Sequence, residues 1–297
     1  MKLRLIHHLT LAFLTMLPAT QAVAGEEQPV RLQSSSKWVV NYADNGCRLL
    51  RQFGAGDEMV TLIMNRYGPE DDFQMTLAGK PLRKFFGARE VLVQFGPKEQ
   101  AQEKEFEEGS LGDAPALIFS YMGVEKIEGY TVADAIARLS APKEIAPERF
   151  AAISYLSVGK KQQAPLILET GALQKPFAAL SACTDNLVES WGFDIQKEKT
   201  LQRRATPKDN YTSWIRTIDY PTDMLRAGQP AMVQFRLDVD ATGAVTACHI
   251  LETTRPKAFD DAVCHSMMKR ANFEPAIDRE GKPVASYFRR TVRFRIP

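Results

Sequence analysis

Histidine, the side chain that titrates nearest neutral pH, is almost missing from this sequence. Four occur in 297 residues, and two of those, His7 and His8, sit close to the amino terminus. The other two, His249 and His265, each follow a cysteine. No phosphate loop, nucleophile elbow or metal-spaced histidine pair accompanies them, so the residues supply no catalytic constellation, metal set or cofactor motif. After the first two dozen positions no apolar run approaches the roughly 20 residues of a membrane-spanning helix. The 17 prolines are scattered, not gathered into a stiff spacer. Formal net charge is only +2, which gives nucleic-acid binding no electrostatic support.

What is present is globular in balance, with 44% hydrophobic and 25% charged residues, and the length suggests two domains. Charge is unevenly spread. Between Gly25 and Thr200 lie 20 basic and 25 acidic residues; from Leu201 to Pro297 there are 16 basic and 11 acidic. An acidic front and a basic back argue for two units with different partners. Lys2 and Arg4, the apolar stretch Leu9 to Leu17, and Ala22-Val23-Ala24 have the layout of an export signal over residues 1–24, cut before Gly25. The rival is an uncleaved anchor, but Pro18, Thr20 and Gln21 shorten the run. Cys47, Cys183, Cys248 and Cys264 remain after cleavage, and in an oxidising compartment four cysteines allow three pairings. One bridge in each half, Cys47–Cys183 and Cys248–Cys264, is the simplest.

Residues 25–36 are polar and aperiodic and read as a tether. Over residues 37–199 short strand-like runs alternate with Gly, Pro and Asp clusters, as in an antiparallel β unit. The runs are Trp38 to Val40, Cys47 to Leu50, Met59 to Met64, Phe73 to Leu77, Glu90 to Phe95 and Ala116 to Tyr121. Gln100 to Glu108 is a charge run, expected to be a solvated face or loop. Helical spacing appears at Val132, Ala135, Ile136 and Leu139, and again from Phe177 to Trp191, where Leu180, Cys183 and Leu187 make a stripe. Leu166 to Ala172 has the outline of an aspartic-protease signature, but Glu169 stands where Asp belongs and no second copy follows. It reads as a strand ending in a turn at Gly171. The whole is a mainly-β α+β domain of unknown ligand, with residues 200–217 expected as a linker.

The pattern sharpens after Tyr220-Pro221. Val233, Phe235, Leu237 and Val239 alternate with Gln234, Arg236, Asp238 and Asp240, the pattern of a half-buried strand. Asp240-Ala-Thr-Gly243 is a tight turn, and Ala244 to Glu252 a second strand. Phe259 to Ala271 is an amphipathic helix with Cys264, Met267, Met268 and Ala271 on one face. Gly281-Lys-Pro is a turn, and Tyr287 to Ile296 a long last strand whose faces are Tyr287, Arg289, Thr291, Arg293, Arg295 and Phe288, Val292, Phe294, Ile296.

Tyr220-Pro221, "ATGAV", "FEPA" at Phe273, "GKPV" at Gly281 and the terminal strand, in that order, resemble the TonB carboxy-terminal domain over residues 218–297. The resemblance implies an α+β fold of a three-stranded antiparallel sheet packed on helices. It also implies a protein or peptide partner, in this family the TonB-box segment of an outer-membrane receptor, pairing with the last strand as a sheet edge. A Gram-negative periplasm is the implied location. Tyr287, Arg289, Thr291, Arg293 and Arg295 are then the candidate partner-binding residues, and Cys248 and Cys264 fall on apolar core positions of the family, which favours a buried bridge. Adjacent strand residues point to opposite faces, so Cys248-His249 and Cys264-His265 make a poor zinc site. This chain departs from a TonB transducer in having a folded domain where the Pro-rich spacer belongs. The expected function is a periplasmic, non-enzymatic binding protein. A true transducer with an uncleaved anchor and an enzyme with its site in residues 37–199 are the alternatives.

Overall fold

The computed structural model of the protein describes residues 28–126, 131–140, 145–254 and 256–296. The expected export signal, residues 1–24, lies outside the described residues, as do the side chains of Val132, Ala135 and Leu139 on the first helical stripe. Among the described residues no helix is long and apolar enough to cross a membrane.

The chain is mixed α+β. Its front half holds two sheets. Strands β2 (Val39–Ala43), β3 (Gly46–Phe53), β4 (Val60–Arg66), β5 (Phe73–Ala78), β9 (Ala114–Met122) and β8 (Glu107–Leu111) form an antiparallel sheet in the order β2-β3-β4-β5-β9-β8. Strands β1 (Val30–Gln33), β11 (Leu166–Glu169), β10 (Leu156–Gly159), β6 (Glu90–Phe95) and β7 (Gln102–Glu105) form the second, in the order β1-β11-β10-β6-β7. Helices α1 (Val132–Ser140), α2 (Pro147–Ala151), α3 (Gln174–Ser190) and α4 (Ile195–Glu198) complete this half. Both sheets and α3 share one core, in which Leu49, Met64 and Leu77 meet Val93, Leu156 and Leu168, and α3 contributes Phe177, Leu180 and Leu187. The stripe on α3 turns Cys183 inward to a disulfide with Cys47 on β3, Cα atoms 6.0 Å apart.

The back half builds a second core. β13 (Ala231–Val239) is flanked by β14 (Val245–Thr253) and β18 (Ser286–Phe294), all antiparallel. Helix α6 (Ala258–Arg270) packs on one face through Phe259, Val263 and Met267. Short pieces complete it: β12 (Thr206–Pro207), α5 (Thr222–Arg226), β15 (Phe273–Glu274), β16 (Ala276–Ile277) and β17 (Pro283–Val284). The β13–β14 turn depends on Gly243, at φ 88°, where a Cβ would lie 2.1 Å from the Phe273 carbonyl oxygen. Asp240 closes this turn by accepting from the amides of Thr242 and Ala244. Tyr220 packs edge-on against Phe259 and Phe294, and Phe273 against Trp214 and Phe288, so the aromatic residues of the recurring motifs are core. A disulfide from Cys248 on β14 to Cys264 on α6 pins helix to sheet, Cα atoms 5.5 Å apart.

Four expectations change. The tether is ordered from Val30, because β1 pairs in parallel with β11 and buries Leu32. The charge run contains β7 and the start of β8, with Gln102 and Phe106 turned inward, Glu103 and Glu108 exposed, and Glu105 and Glu107 half-buried. Residues 200–217 are no free linker: β12 pairs with β15, and Ala205 and Trp214 enter the second core. On α6 the inward face is Phe259, Val263, Ser266 and Met267, and Met268 is 46% exposed. The shift arises because Phe259 and Val263, four residues apart, outcompete the smaller stripe for the sheet.

Candidate functional site

The last strand offers two things to a partner, its main-chain edge and its arginine face. β18 is the outer strand of its sheet. Met232 exchanges hydrogen bonds with Thr254 through both its N–H and its C=O, and the Asp238 carbonyl accepts from Thr246, so even-numbered residues of β13 face β14. Odd-numbered residues therefore face β18, and the unbroken register places Val233 opposite Val292. It follows that the N–H and C=O of Tyr287, Arg289, Thr291 and Arg293 point away from the sheet. Among the described residues no other element supplies a backbone partner to them.

The arginine face is turned to the front half of the chain. Arg289 is 7% exposed; its Nε donates to Glu70, and a terminal nitrogen donates to Asp72 at 2.9 Å. Arg204 reaches the other Glu70 oxygen at 2.9 Å. Burial alone would raise the Glu70 carboxyl, but Arg289 and Arg204 outweigh it and hold it down at about 2. The same two acids, Asp72 first, hold Arg289 charged against its burial. Gly68 makes room for the pair, since a Cβ there would lie 2.5 Å from Arg289 Nε and from a Glu70 oxygen.

Tyr287 is buried against Trp191 and Phe193, with ring centroids 5.2 and 5.5 Å away. Trp191 also carries the Arg236 guanidinium, 4.4 Å from its ring centre. Beside them Glu198, 5% exposed, accepts from Ser286 at 2.8 Å. Burial pushes its carboxyl up to about 7, against the pull of Ser286 and Arg204. Thr291 donates to Gln234 at 2.7 Å. Arg293 pairs with Glu107, and Arg295 with Glu105 at 2.8 Å.

So the polar side of β13 is not open to water: Gln234 and Arg236 are buried beneath the front half. Its alternation marks two chemistries, an apolar face toward α6 and a polar one toward another domain. The candidate residues are brought together on one strand, yet their side chains already have partners. Glu70, Asp72, Glu105, Glu107, Arg204, Trp191 and Glu198 were not singled out by sequence reasoning. The signal that points to them is the acidic front and basic back, which meet along this seam. His249, the doubtful zinc ligand, meets Asp238 at 2.9 Å.

A groove of about 320 Å³ lies at the same seam, lined by Asn41, Arg48, Asn65, Tyr67, Leu251 and Glu252. A second, of about 400 Å³, runs beside the end of β18 between Glu105, Phe106, Glu107 and Arg295, Ile296. A search of curated proteins gave no match to the chain. Residues 216–296 match the family model described as Gram-negative bacterial TonB protein C-terminal. With its three-stranded antiparallel sheet, covering helix and motif residues in the core, the end of this chain is a TonB carboxy-terminal domain.

Proposed function

We propose that this is a periplasmic TonB-like protein that binds an extended segment of another protein by strand addition at β18, in the service of outer-membrane receptor transport. The observation that carries the reading is the open main chain at Thr291 and Arg293, on the outer strand of a TonB carboxy-terminal sheet. An added strand would gain affinity from those main-chain groups and specificity from side chains on alternate positions. Addition is confined to the second half of the strand, because Ser286, Tyr287 and Arg289 are buried against the front half. The family's role as an interaction module favours binding over catalysis. The export signal and the paired cysteines support an oxidising envelope compartment.

Thr291→Pro and Arg293→Pro each delete one outward N–H, a change that sheet edges tolerate. Calorimetry with a peptide copied from a receptor's TonB-box segment should show binding by the unaltered protein and none by either variant, with circular dichroism unchanged. Full binding by both variants would rule out strand addition at this edge.

A further inference from the structure

Arg293 and Arg295 differ from Arg289 in how they are held. Arg289 is enclosed, whereas the Arg295 and Glu105 side chains are 52% and 37% exposed. The pairing follows a strand-like rule. Glu105 meets Arg295 and Glu107 meets Arg293, so one number rises as the other falls and both steps are two residues, with Arg295 also reaching Glu107 at 3.7 Å. That is the spacing of one face of an extended chain running antiparallel to the last strand. Phe106 anchors the segment between them, buried against Phe119 with ring centroids 6.0 Å apart. Yet no main-chain hydrogen bond joins this segment to β18 among the described residues, and the groove of about 400 Å³ opens between it and Arg295 and Ile296, just past the end of the strand.

We infer that Glu105-Phe106-Glu107 is an internal stand-in for the partner, shielding the open half of β18, and that the partner it stands in for is an extended segment with acidic residues two apart. The inference rests on the strand-addition reading and deepens it. A partner strand bonded to the Thr291 and Arg293 amides would enter the groove, and its acidic side chains would take over Arg293 and Arg295. The segment itself stays in its sheets, Glu105 opposite Glu90 and Glu107 opposite Ile118. But ion pairs open to water are weak and exchange readily, so the two glutamates can give up their arginines while the buried Arg289 pairs keep the two halves together. Arg89 lies within 3.3 Å of Glu105 and receives that carboxylate once Arg295 is taken. The neighbouring positive charge of the domain thus has a use in both states.

The test uses the full mature chain and its Glu105→Gln/Glu107→Gln variant. Two probes are needed, an extended nine-residue peptide with glutamates two apart and the same peptide with glutamines. The variant should prefer the acidic over the neutral peptide by a ratio about tenfold larger than the unaltered protein, since each freed arginine adds a few-fold. Hydrogen exchange at the Thr291 and Arg293 amides, without peptide, should be several-fold faster in the variant. Binding with an unchanged ratio and unchanged exchange overturns the stand-in and leaves strand addition in place. No binding of either peptide by either form overturns strand addition, and the inference with it.

Discussion

Arg289 on the last strand and Glu70, 219 residues earlier in the chain, share an enclosed ion pair that joins the two halves of the protein. Removing one partner of such a pair leaves the other charged and buried, which costs about 3–5 kcal/mol. Measured by urea unfolding, Arg289→Ala should lower stability by less than that amount, because Arg204 still faces Glu70. Glu70→Ala should cost a similar amount. The double variant should lose much less than the sum of the two. Strict additivity would mean that the pair contributes nothing across the seam.

The seam should respond to pH in two directions. Glu70 is held at about 2, below its unfolded value near 4.5, so its contribution is present above about pH 4.5 and fades as pH falls toward 2. Glu198 is raised to about 7, so its contribution is complete below about pH 4.5 and fades as pH rises through 7. Between about pH 4.5 and 7 the urea midpoint of the unaltered protein should fall, and Glu198→Gln should flatten that slope. Equal slopes in the two proteins would show that Glu198 does not titrate in this range.

Gly68 tests the close approach behind the Arg289–Glu70 pair. Its Cβ would sit 2.5 Å from both partners, so Gly68→Ala must push them apart, at about 1–3 kcal/mol. Gly243→Ala should cost a comparable amount for another reason, its φ of 88° and the 2.1 Å approach to the Phe273 carbonyl. Thermal melts of both variants decide the matter. The strain at Gly243 should leave the pH slope of the seam untouched.

The bridges should be separable in their effects. Cys248–Cys264 spans 16 residues and should contribute roughly 3 kcal/mol by loop closure, and Cys47–Cys183, spanning 136, about 4–5 kcal/mol. Cys264→Ala should loosen the carboxy-terminal domain first, seen as faster hydrogen exchange in α6 before any loss in β3. Non-reducing peptide mapping that joined Cys47 or Cys183 to the other pair would contradict both expectations.

Local chemistry was enough to read much of the back half from its residues. The alternation of Val233 to Asp240 marks a strand and Gly243, able to take a positive φ, the turn after it, while the three-stranded sheet and its covering helix came from the resemblance carried by the motifs from Tyr220 to the last strand. Strand-like runs in the front half were legible for the same reason, since their period is a property of neighbouring residues. Longer relations were not. That Val30 to Gln33 pairs with Leu166 to Glu169, or that residues 200–217 pack into the second core, depends on partners far away in sequence.

The decisive case is the last strand. Its composition determined that one face would be arginine-rich and the other apolar, because side chains alternate along any extended chain. The excess of acid before Thr200 and of base after it pointed to two units with different partners, whereas in the fold the two charges meet each other along the seam. Only the tertiary structure decided that Arg289 is enclosed by Glu70 and Asp72 while Arg295 stays half in water. Charge acts at a distance and is summed from the sequence, but burial is set by which surfaces meet, and that emerges only when two folded cores are placed together.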